Sequence, residues 1–253
     1  MRRQLIAGNW KMNLDKAGSV KLAQDLAALT ADVTGCDVAV VPPFVYVDAV
    51  AQALAGSKVV WGIQDCYFED NGAYTGEISV AMAKDLGCTY IILGHSERRH
   101  IIGETDALIN KKTLAVLAGG MFPIVCVGET KDERESNRTM EVIGRQMAGS
   151  LAGLTAEQMK KTVIAYEPVW AIGTGLTATP AQAEEVHAAI RAIIAKTWDA
   201  ETADAVVIQY GGSVKPNNAK ELLALPNVDG ALVGGAALKA DSFKGIIDGA
   251  QMQ

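Results

Sequence analysis

Short apolar segments rich in β-branched residues recur along the chain, and amphipathic, alanine-rich segments separate them. We predict eight strands, in the segments 4–10, 37–41, 58–63, 89–93, 122–127, 162–166, 205–210 and 230–235. Several are continuous apolar runs, which is typical of parallel strands covered on both faces. The intervening segments, such as 19–30, 106–120 and 180–198, carry apolar residues at helical spacing. The pattern therefore predicts a strand followed by a helix, repeated eight times.

Eight such units in 253 residues leave about 32 residues for each, the size of one strand with its crossover helix. This length favours an α/β fold in which residues 1–253 form a single (β/α)8 barrel with eight parallel strands. The alternative is an open, doubly wound sheet, which normally has a glycine-rich fingerprint after its first strand. The chain reads AGNWKMNL there, from Ala7 to Leu14, and lacks that fingerprint.

The composition limits the kinds of molecule that the protein is expected to bind. The net charge of -6, without a long run of lysine or arginine, argues against nucleic acid. The four cysteines are far apart and form no C-x-x-C motif, so we expect free thiols in a reducing cytosol and no metal. The first residues, MRRQLIAGNWKMN, lack the apolar core of a signal peptide. We expect a cytoplasmic protein with no membrane partner.

In a barrel of this type the ligand binds where the carboxyl ends of the strands meet. The residues directly after each predicted strand are therefore the candidates for chemistry. They include Asn9, Lys11, His95, Ser96, Glu97, Glu167, Ser213 and the glycine pairs 211–212 and 234–235. An acid, an imidazole, an amine and two glycine turns are thus predicted to converge on one rim.

The segment AYEPVWAIGTG, 165–175, is unusual because an apolar strand ends in the single carboxylate of Glu167. Val169, Trp170 and Ile172 follow it closely, and desolvation by such neighbours would raise the proton affinity of the carboxylate. That property suits a general base. The alternative is an inert, solvated loop glutamate, which is the usual state of an acid in a loop.

Five motifs stand at the predicted strand ends, namely NWK at 9–11, GHSERR at 94–99, YEPVWAIGTG at 166–175, YGGS at 210–213 and GG at 234–235. In this order, over the whole chain, they resemble the triosephosphate isomerase family. Two positions depart from the usual pattern of that family. Leu176 stands where lysine is usual, and Ala237 stands where serine is usual.

The resemblance implies a TIM barrel that interconverts dihydroxyacetone phosphate and D-glyceraldehyde 3-phosphate through an enediolate, in glycolysis and gluconeogenesis. Its partner would be this small triose phosphate, and no cofactor is implied. Glu167 would be the base and neutral His95 the electrophile. Asn9 and Lys11 would stabilise the phosphate and the enediolate, with Glu97 orienting Lys11.

Ser96 follows His95 and is a residue type that caps helices. If it caps the next helix, the positive end of that helix lies beside the imidazole and disfavours the imidazolium. This placement agrees with the neutral His95 that the resemblance implies.

Gly173, Ser213, Gly234 and Gly235 are candidates for the phosphate site. Glycine allows backbone amides to approach an anion closely, and barrels often bind phosphate after strands seven and eight. The resemblance also implies that residues 168–176 are a mobile lid, apolar so that its closure expels water.

The connection 64–77, QDCYFEDNGAYTGE, carries three aromatic residues. In the family this loop enters a pocket beside the active site of a second subunit. The resemblance therefore implies a homodimer in which Tyr74 and Thr75 lie in the dimer loop.

Two functions of other classes remain open on the residues alone. A barrel aldolase would use Lys11 as a Schiff base, which borohydride would trap in the presence of substrate. A non-catalytic phosphate-binding protein would tolerate the loss of Glu167.

Overall fold

The computed structural model describes residues 2–173 and 177–251 of the chain. Over these residues, eight parallel strands form a closed barrel in chain order, with the last strand paired to the first. The strands are β1 (Gln4–Asn9), β2 (Cys36–Val41), β3 (Val60–Ile63), β4 (Tyr90–Leu93), β5 (Phe122–Val127), β6 (Val163–Tyr166), β7 (Ile208–Tyr210) and β8 (Gly230–Val233). The predicted (β/α)8 barrel is confirmed, and the open sheet is excluded.

Helices connect successive strands. They are α1 (Lys16–Leu29), α2 (Val47–Ala53), α3 (Val80–Asp85), α4 (Asp106–Ala118), α5 (Lys131–Glu135), α6 (Thr139–Ser150), α7 (Ala156–Lys160), α8 (Pro180–Thr197), α9 (Ala200–Ala205), α10 (Pro216–Leu223) and α11 (Ala240–Gln251). The start of α8 illustrates how local sequence sets a boundary. The Thr179 hydroxyl accepts from the Gln182 amide at 3.2 Å, and the Gln182 side chain accepts from the Thr179 amide at 2.9 Å.

Each predicted strand segment overlaps an observed strand, and the largest difference is at β7. The predicted segment starts at Ala205, whereas β7 starts at Ile208. Ala205 instead ends α9, which Asp199 caps by accepting from the Thr202 amide at 2.6 Å, and residues 206–207 lie between this helix and β7. The capped helix therefore extends to a residue that the apolar pattern alone would assign to the strand.

The interior of the barrel is filled by a small apolar cluster that is separate from the larger core between strands and helices. This interior cluster comprises Leu5, Ala7, Ala39, Val41, Ile92, Ile124, Cys126, Val163, Ala165 and Leu232. Alternate residues of a strand face the same side. Extending that alternation by two residues from Ala7 and Ala165 brings Asn9 and Glu167 to the mouth of the barrel.

A buried group of charges joins the 64–77 connection to the segment after β4. Lys112 on α4 binds Asp65 at 2.8 Å and also binds Glu104. Arg98 binds the same two carboxylates, Asp65 at 2.8 Å and Glu104 at 2.9 Å. Each buried charge thus has an oppositely charged partner, without which its desolvation would be costly.

None of the helices within the described residues is long and apolar enough to span a lipid bilayer. All four cysteines are buried and free, as expected from their spacing. Burial raises the pKa of Cys66 and Cys88 to about 12, which keeps both as thiols.

We predict that Lys112→Met lowers the free energy of unfolding by about 3–5 kcal/mol, because it leaves buried carboxylates short of a cation. Urea titration at one fixed protein concentration measures this change. The control is Lys21→Met, which removes an exposed i,i+4 pair with Asp25 and should change stability by less than about 0.5 kcal/mol. Equal effects of the two substitutions would contradict the importance assigned to the buried charges.

Candidate active site

A cavity of about 370 Å³ opens at the carboxyl ends of the strands. Of the predicted site residues, it is lined by Asn9, Lys11, His95, Glu167, Gly173, Ser213, Gly234 and Gly235. Glu97 lies in an adjoining cavity of about 240 Å³, which shares Asn9, Lys11 and His95 with the first. Tyr74 and Thr75 line neither cavity of their own chain. The sequence therefore identified residues that the fold does bring together.

Glu167 is buried, so it is not a solvated loop glutamate. Its Oε1 lies 2.8 Å from Nε2 of His95, and its Oε2 accepts from the amide of Ser96 at 3.0 Å. Burial raises the pKa of this carboxyl, but His95 and the Ser96 amide together hold it below its ordinary value. The predicted desolvation of Glu167 is present. The prediction that its proton affinity rises is wrong in this geometry, because the carboxylate has two hydrogen-bond partners.

Two glycines make room for Glu167, namely Gly128, which the sequence analysis missed, and Gly211, which it named only as part of a glycine turn. A Cβ at Gly128 would lie 1.7 Å from the carbonyl oxygen of Glu167, and a Cβ at Gly211 would lie 2.8 Å from its Cγ. The end of β5 is held against this residue by a bond from the Glu167 amide to the Val127 carbonyl, 2.8 Å. A side chain at either glycine would displace the carboxylate or its backbone.

His95, rather than Ser96, takes the capping role at the start of the next helical segment. Its Nδ1 accepts from the amide of Glu97 at 3.2 Å, and its carbonyl accepts from the amides of Arg98 and Arg99. A ring nitrogen that accepts a hydrogen bond carries no proton, so the ring hydrogen lies on Nε2, facing Glu167. The sequence predicted helical amides beside the imidazole, and they are present. The residue that caps them is His95, one residue earlier than the predicted Ser96.

The groups around His95 shift the pKa of its imidazole in opposite directions. Burial lowers the pKa of the imidazole, whereas the carboxylate of Glu167 raises it, and the net direction is upward. The upward direction thus depends on the contact with Glu167. Without that contact burial would favour the neutral ring, while the Glu97 carboxylate, with Oε2 3.4 Å from Nδ1, would still raise the pKa.

Lys11 has a left-handed backbone with φ of 51°, which is unfavourable for a residue with a side chain. Its amide donates to Asn9 Oδ1 at 3.0 Å, and its carbonyl accepts from Gln64 Nε2 at 2.8 Å. Its Nζ binds Glu97 Oε1 at 2.6 Å. These contacts hold the loop after β1 in one conformation. Gln64, which the sequence analysis did not single out, contributes through its side-chain amide.

The turns after β7 and β8 form another part of the cavity wall. Ser213, Gly234 and Gly235 lie in these turns, Gly173 lies in the segment after β6, and Glu167 is the one acid among the described lining residues. A short 3-10 helix, Gly235–Leu238, starts at the second glycine turn. Ala237 within it is buried, and a Cβ at Gly8 would lie 3.0 Å from the Cβ of Ala237. The end of the cavity near these glycines therefore presents backbone rather than carboxylates.

Glu129 is a second buried acid that the sequence analysis missed. Its Oε1 accepts from the Tyr166 hydroxyl at 3.1 Å and from Trp170 Nε1 at 3.0 Å, and its carbonyl accepts from the Val169 amide at 3.0 Å. The first part of the predicted lid is thereby fastened to the end of β5. Residues 174–176 of the predicted lid, including Leu176, lie outside the described residues.

A buried histidine packs against aromatic residues at the ends of β6 and β7. His187 on α8 packs edge-on against Tyr166, with ring centroids 5.8 Å apart, and lies 6.2 Å from the ring of Tyr210. Its Nδ1 donates to the carbonyl of Asn227 at 3.1 Å. Burial lowers the pKa of His187 to about 4.

Comparison with known proteins matches residues 4–250 to the family model described as triosephosphate isomerase. A triosephosphate isomerase of Herpetosiphon aurantiacus is 58% identical over 247 residues, covering 98% of this chain and 99% of the relative. One from Chloroherpeton thalassium is 52% identical over 252 residues, covering 99% of this chain and all of the relative. One from Rhodopirellula baltica is 52% identical over 249 residues, covering 98% of each chain.

We predict that the free energy of unfolding falls by about 2 kcal/mol between pH 7 and pH 5 because of His187. The unfolded chain binds a proton at this residue below about pH 6.5, whereas the folded chain does so only near pH 4. Stability from this residue is thus complete above the unfolded pKa and is lost as the pH falls towards the folded one. Urea titration of His187→Gln should show a shallower pH dependence, whereas replacing the exposed His100 by Gln should not. Identical pH dependence for all three proteins would contradict the assignment.

Proposed function

The chain belongs to the triosephosphate isomerase family, and we propose that the cavity at the strand ends is where it acts. Its reaction interconverts dihydroxyacetone phosphate and D-glyceraldehyde 3-phosphate, a step of glycolysis and gluconeogenesis. The observation that carries the assignment of the site is the contact between Glu167 and the protonated Nε2 of His95, at 2.8 Å, inside this cavity.

The reaction moves a proton between two neighbouring carbons of the substrate. Glu167 takes the proton from C1 of dihydroxyacetone phosphate, and the electron pair of that bond forms the enediolate. His95 donates the Nε2 hydrogen to the substrate carbonyl oxygen and so stabilises the negative charge that develops there. The hydrogen of the C1 hydroxyl passes to the C2 oxygen by way of His95, and the protonated Glu167 returns its proton to C2, which yields the aldehyde at C1.

Substrate binding changes the properties of both residues. The substrate oxygen must replace Glu167 as the acceptor at His95 Nε2, because this nitrogen has one hydrogen to donate. Once the two side chains separate, burial acts on each with less opposition, although the Ser96 amide still binds Glu167 and the Glu97 carboxylate still lies 3.4 Å from His95 Nδ1. Burial raises the pKa of Glu167 and lowers that of His95. The carboxylate thus becomes a stronger base, and the imidazole remains neutral.

Lys11 supplies positive charge to the phosphate and to the enediolate, and Asn9 donates from its side-chain NH2 group, since its Oδ1 already accepts from Lys11. Glu97 positions the ammonium through their contact of 2.6 Å. The same ion pair disfavours a Schiff-base aldolase, because imine formation needs the free amine of Lys11.

The phosphate of the substrate lies at the glycine-rich end of the cavity, with Gly173, Ser213, Gly234 and Gly235. Backbone amides in such turns bind a dianion without a compensating cation on each oxygen. Residues 168–176 close over it as a lid, which excludes water and prevents the enediolate from losing phosphate. Glu129 fastens the start of this lid.

We predict that Glu167→Gln lowers kcat by about 10²-fold to 10⁴-fold, because the amide keeps the shape of the side chain but cannot accept the proton. The affinity for a phosphate-bearing competitive inhibitor should stay within about threefold. A coupled assay and calorimetric titration measure the two quantities. Glu141→Gln, at an exposed carboxylate paired with Arg138, is the control and should leave both unchanged. Activity of Glu167→Gln within about threefold of the parent would refute the role of the base.

We also propose that the enzyme is a cytoplasmic homodimer. The cavity beside Lys11 and Glu97 is bordered by Met12, Ile101 and Ile102, whose exposed fractions of 94%, 78% and 64% are unusually high for apolar side chains. The 64–77 connection, named the dimer loop from here on, is exposed throughout residues 69–77. A two-fold dimer would place the loop of each subunit in this cavity of the other.

We predict that replacing Tyr74 and Thr75 together by alanine yields monomers of low activity, because each loop completes the site of the other subunit. Analytical ultracentrifugation and a coupled assay on the same samples test this. Phe122→Ala is the control, since Phe122 is 39% exposed and Tyr74 is 40% exposed, yet Phe122 lies at the start of β5 at the other end of the barrel. A fully active monomer would overturn the proposed arrangement.

A further inference from the structure

The dimer loop is ordered by contacts among its own aromatic side chains. The rings of Tyr67 and Phe68 have centroids 4.3 Å apart, and those of Tyr67 and Tyr74 have centroids 4.7 Å apart. Tyr67 is thus the centre of a three-ring stack that joins the start of the loop to its tip. We call these three residues the aromatic stack.

The body of the barrel anchors one end of the aromatic stack. Lys111 on α4 places its Nζ 5.0 Å from the centroid of the Phe68 ring. At this distance an ammonium is attracted to the face of an aromatic ring. The neighbouring Lys112 binds Asp65 at the base of the loop, so α4 holds the loop at two successive positions.

The backbone of the loop is shaped to let the stack form. Gly72 has φ of 134°, and a Cβ there would lie 3.0 Å from the Tyr74 ring. The Tyr67 amide donates to the carbonyl of Ile78 at 2.7 Å, and the Glu77 amide donates to the carbonyl of Tyr74 at 3.0 Å. The ring of Tyr74 therefore folds back over the turn at Gly72, towards Tyr67.

The ion pairs at Asp65 fix the base of the loop, whereas residues 69–77 are all exposed, and the ring of Tyr74 joins them to the rings at the start of the loop. Ordering a flexible segment on association costs free energy, and a segment that is ordered beforehand avoids this cost.

We propose that the aromatic stack, anchored by Lys111, holds the dimer loop in its docking shape before two subunits meet. The inference rests on the proposed homodimer and names the residues that prepare its interface. The partner is a second copy of this chain, since the exposed apolar residues around the adjoining cavity offer a site of matching chemistry. A two-fold dimer uses two loops, so any loss of loop order enters the dimer dissociation constant twice.

The test compares Phe68→Leu, which keeps an apolar side chain but removes the ring, with Lys111→Met, which keeps the stem but removes the charge. The matched control is Phe122→Leu, which breaks an aromatic pair with Tyr90, at 5.9 Å, away from the loop. Analytical ultracentrifugation gives the dimer dissociation constant. Subunit mixing gives the association and dissociation rates, and a coupled assay over a dilution series follows activity.

We expect Phe68→Leu to raise the dimer dissociation constant by about tenfold to a hundredfold and Lys111→Met by about twofold to fivefold. The change should lie mainly in the association rate, because fewer loops are in the docking shape. At protein concentrations that restore the dimer, both variants should regain the kcat of the parent. Phe122→Leu should leave the dissociation constant unchanged.

The possible failures are distinguishable. If the parent is a fully active monomer at every concentration, the proposed homodimer fails and the inference fails with it. If the parent dimerises and Phe68→Leu dimerises equally well, the homodimer stands and the inference is overturned. A loss confined to the dissociation rate would also overturn it, because the ring would then act as a contact across the assembled interface.

Discussion

The contact between Glu167 and His95 is the interaction on which the arrangement of the site depends. The amide of Glu97 donates to the far nitrogen of the same imidazole, and the carboxylate of Glu97 binds the ammonium of Lys11. The carbonyl of Lys11 in turn accepts from Gln64, the first residue of the dimer loop. A continuous series of bonds thus leads from the buried base to the loop of the proposed interface. When the substrate takes the place of Glu167 at His95 Nε2, the bond between these two residues is replaced and the other bonds of the series remain.

The closed barrel provides the positions from which this series is built. Inward-facing residues alternate along each strand, so Asn9 and Glu167 continue rows that begin inside the apolar interior. The close approach of β5, β6 and β7 at their ends requires glycine at 128 and 211, since a Cβ at either position would meet Glu167. The residues that perform the proposed chemistry therefore need neighbours with no side chain as much as they need partners.

Much of this could be predicted from the sequence because it is encoded locally. Strand segments follow from apolar runs, and in a parallel barrel the residues after each run must meet at one rim, which is why His95, Lys11 and Glu167 could be named together. The direction of the pKa of Glu167 could not be predicted, since it depends on partners distant in the chain. Glu129 could not be found for the same reason, because its partners Tyr166 and Trp170 belong to a different strand and loop. The dimer, the roles of the site residues and the single-domain organisation stay predictions.

The hydrogen bond that fixes the imidazole comes from the main chain at Glu97, not from a side chain. The path of the backbone therefore sets the tautomer of His95. Substitutions at position 97 keep this hydrogen bond, except for proline, because proline lacks the amide hydrogen. A saturation scan at residue 97 would therefore record the effect of the carboxylate and would not detect that of the main-chain amide. For protein redesign, the same feature means that the residue at position 97 can be changed without removing the amide that marks Nδ1 as the accepting nitrogen.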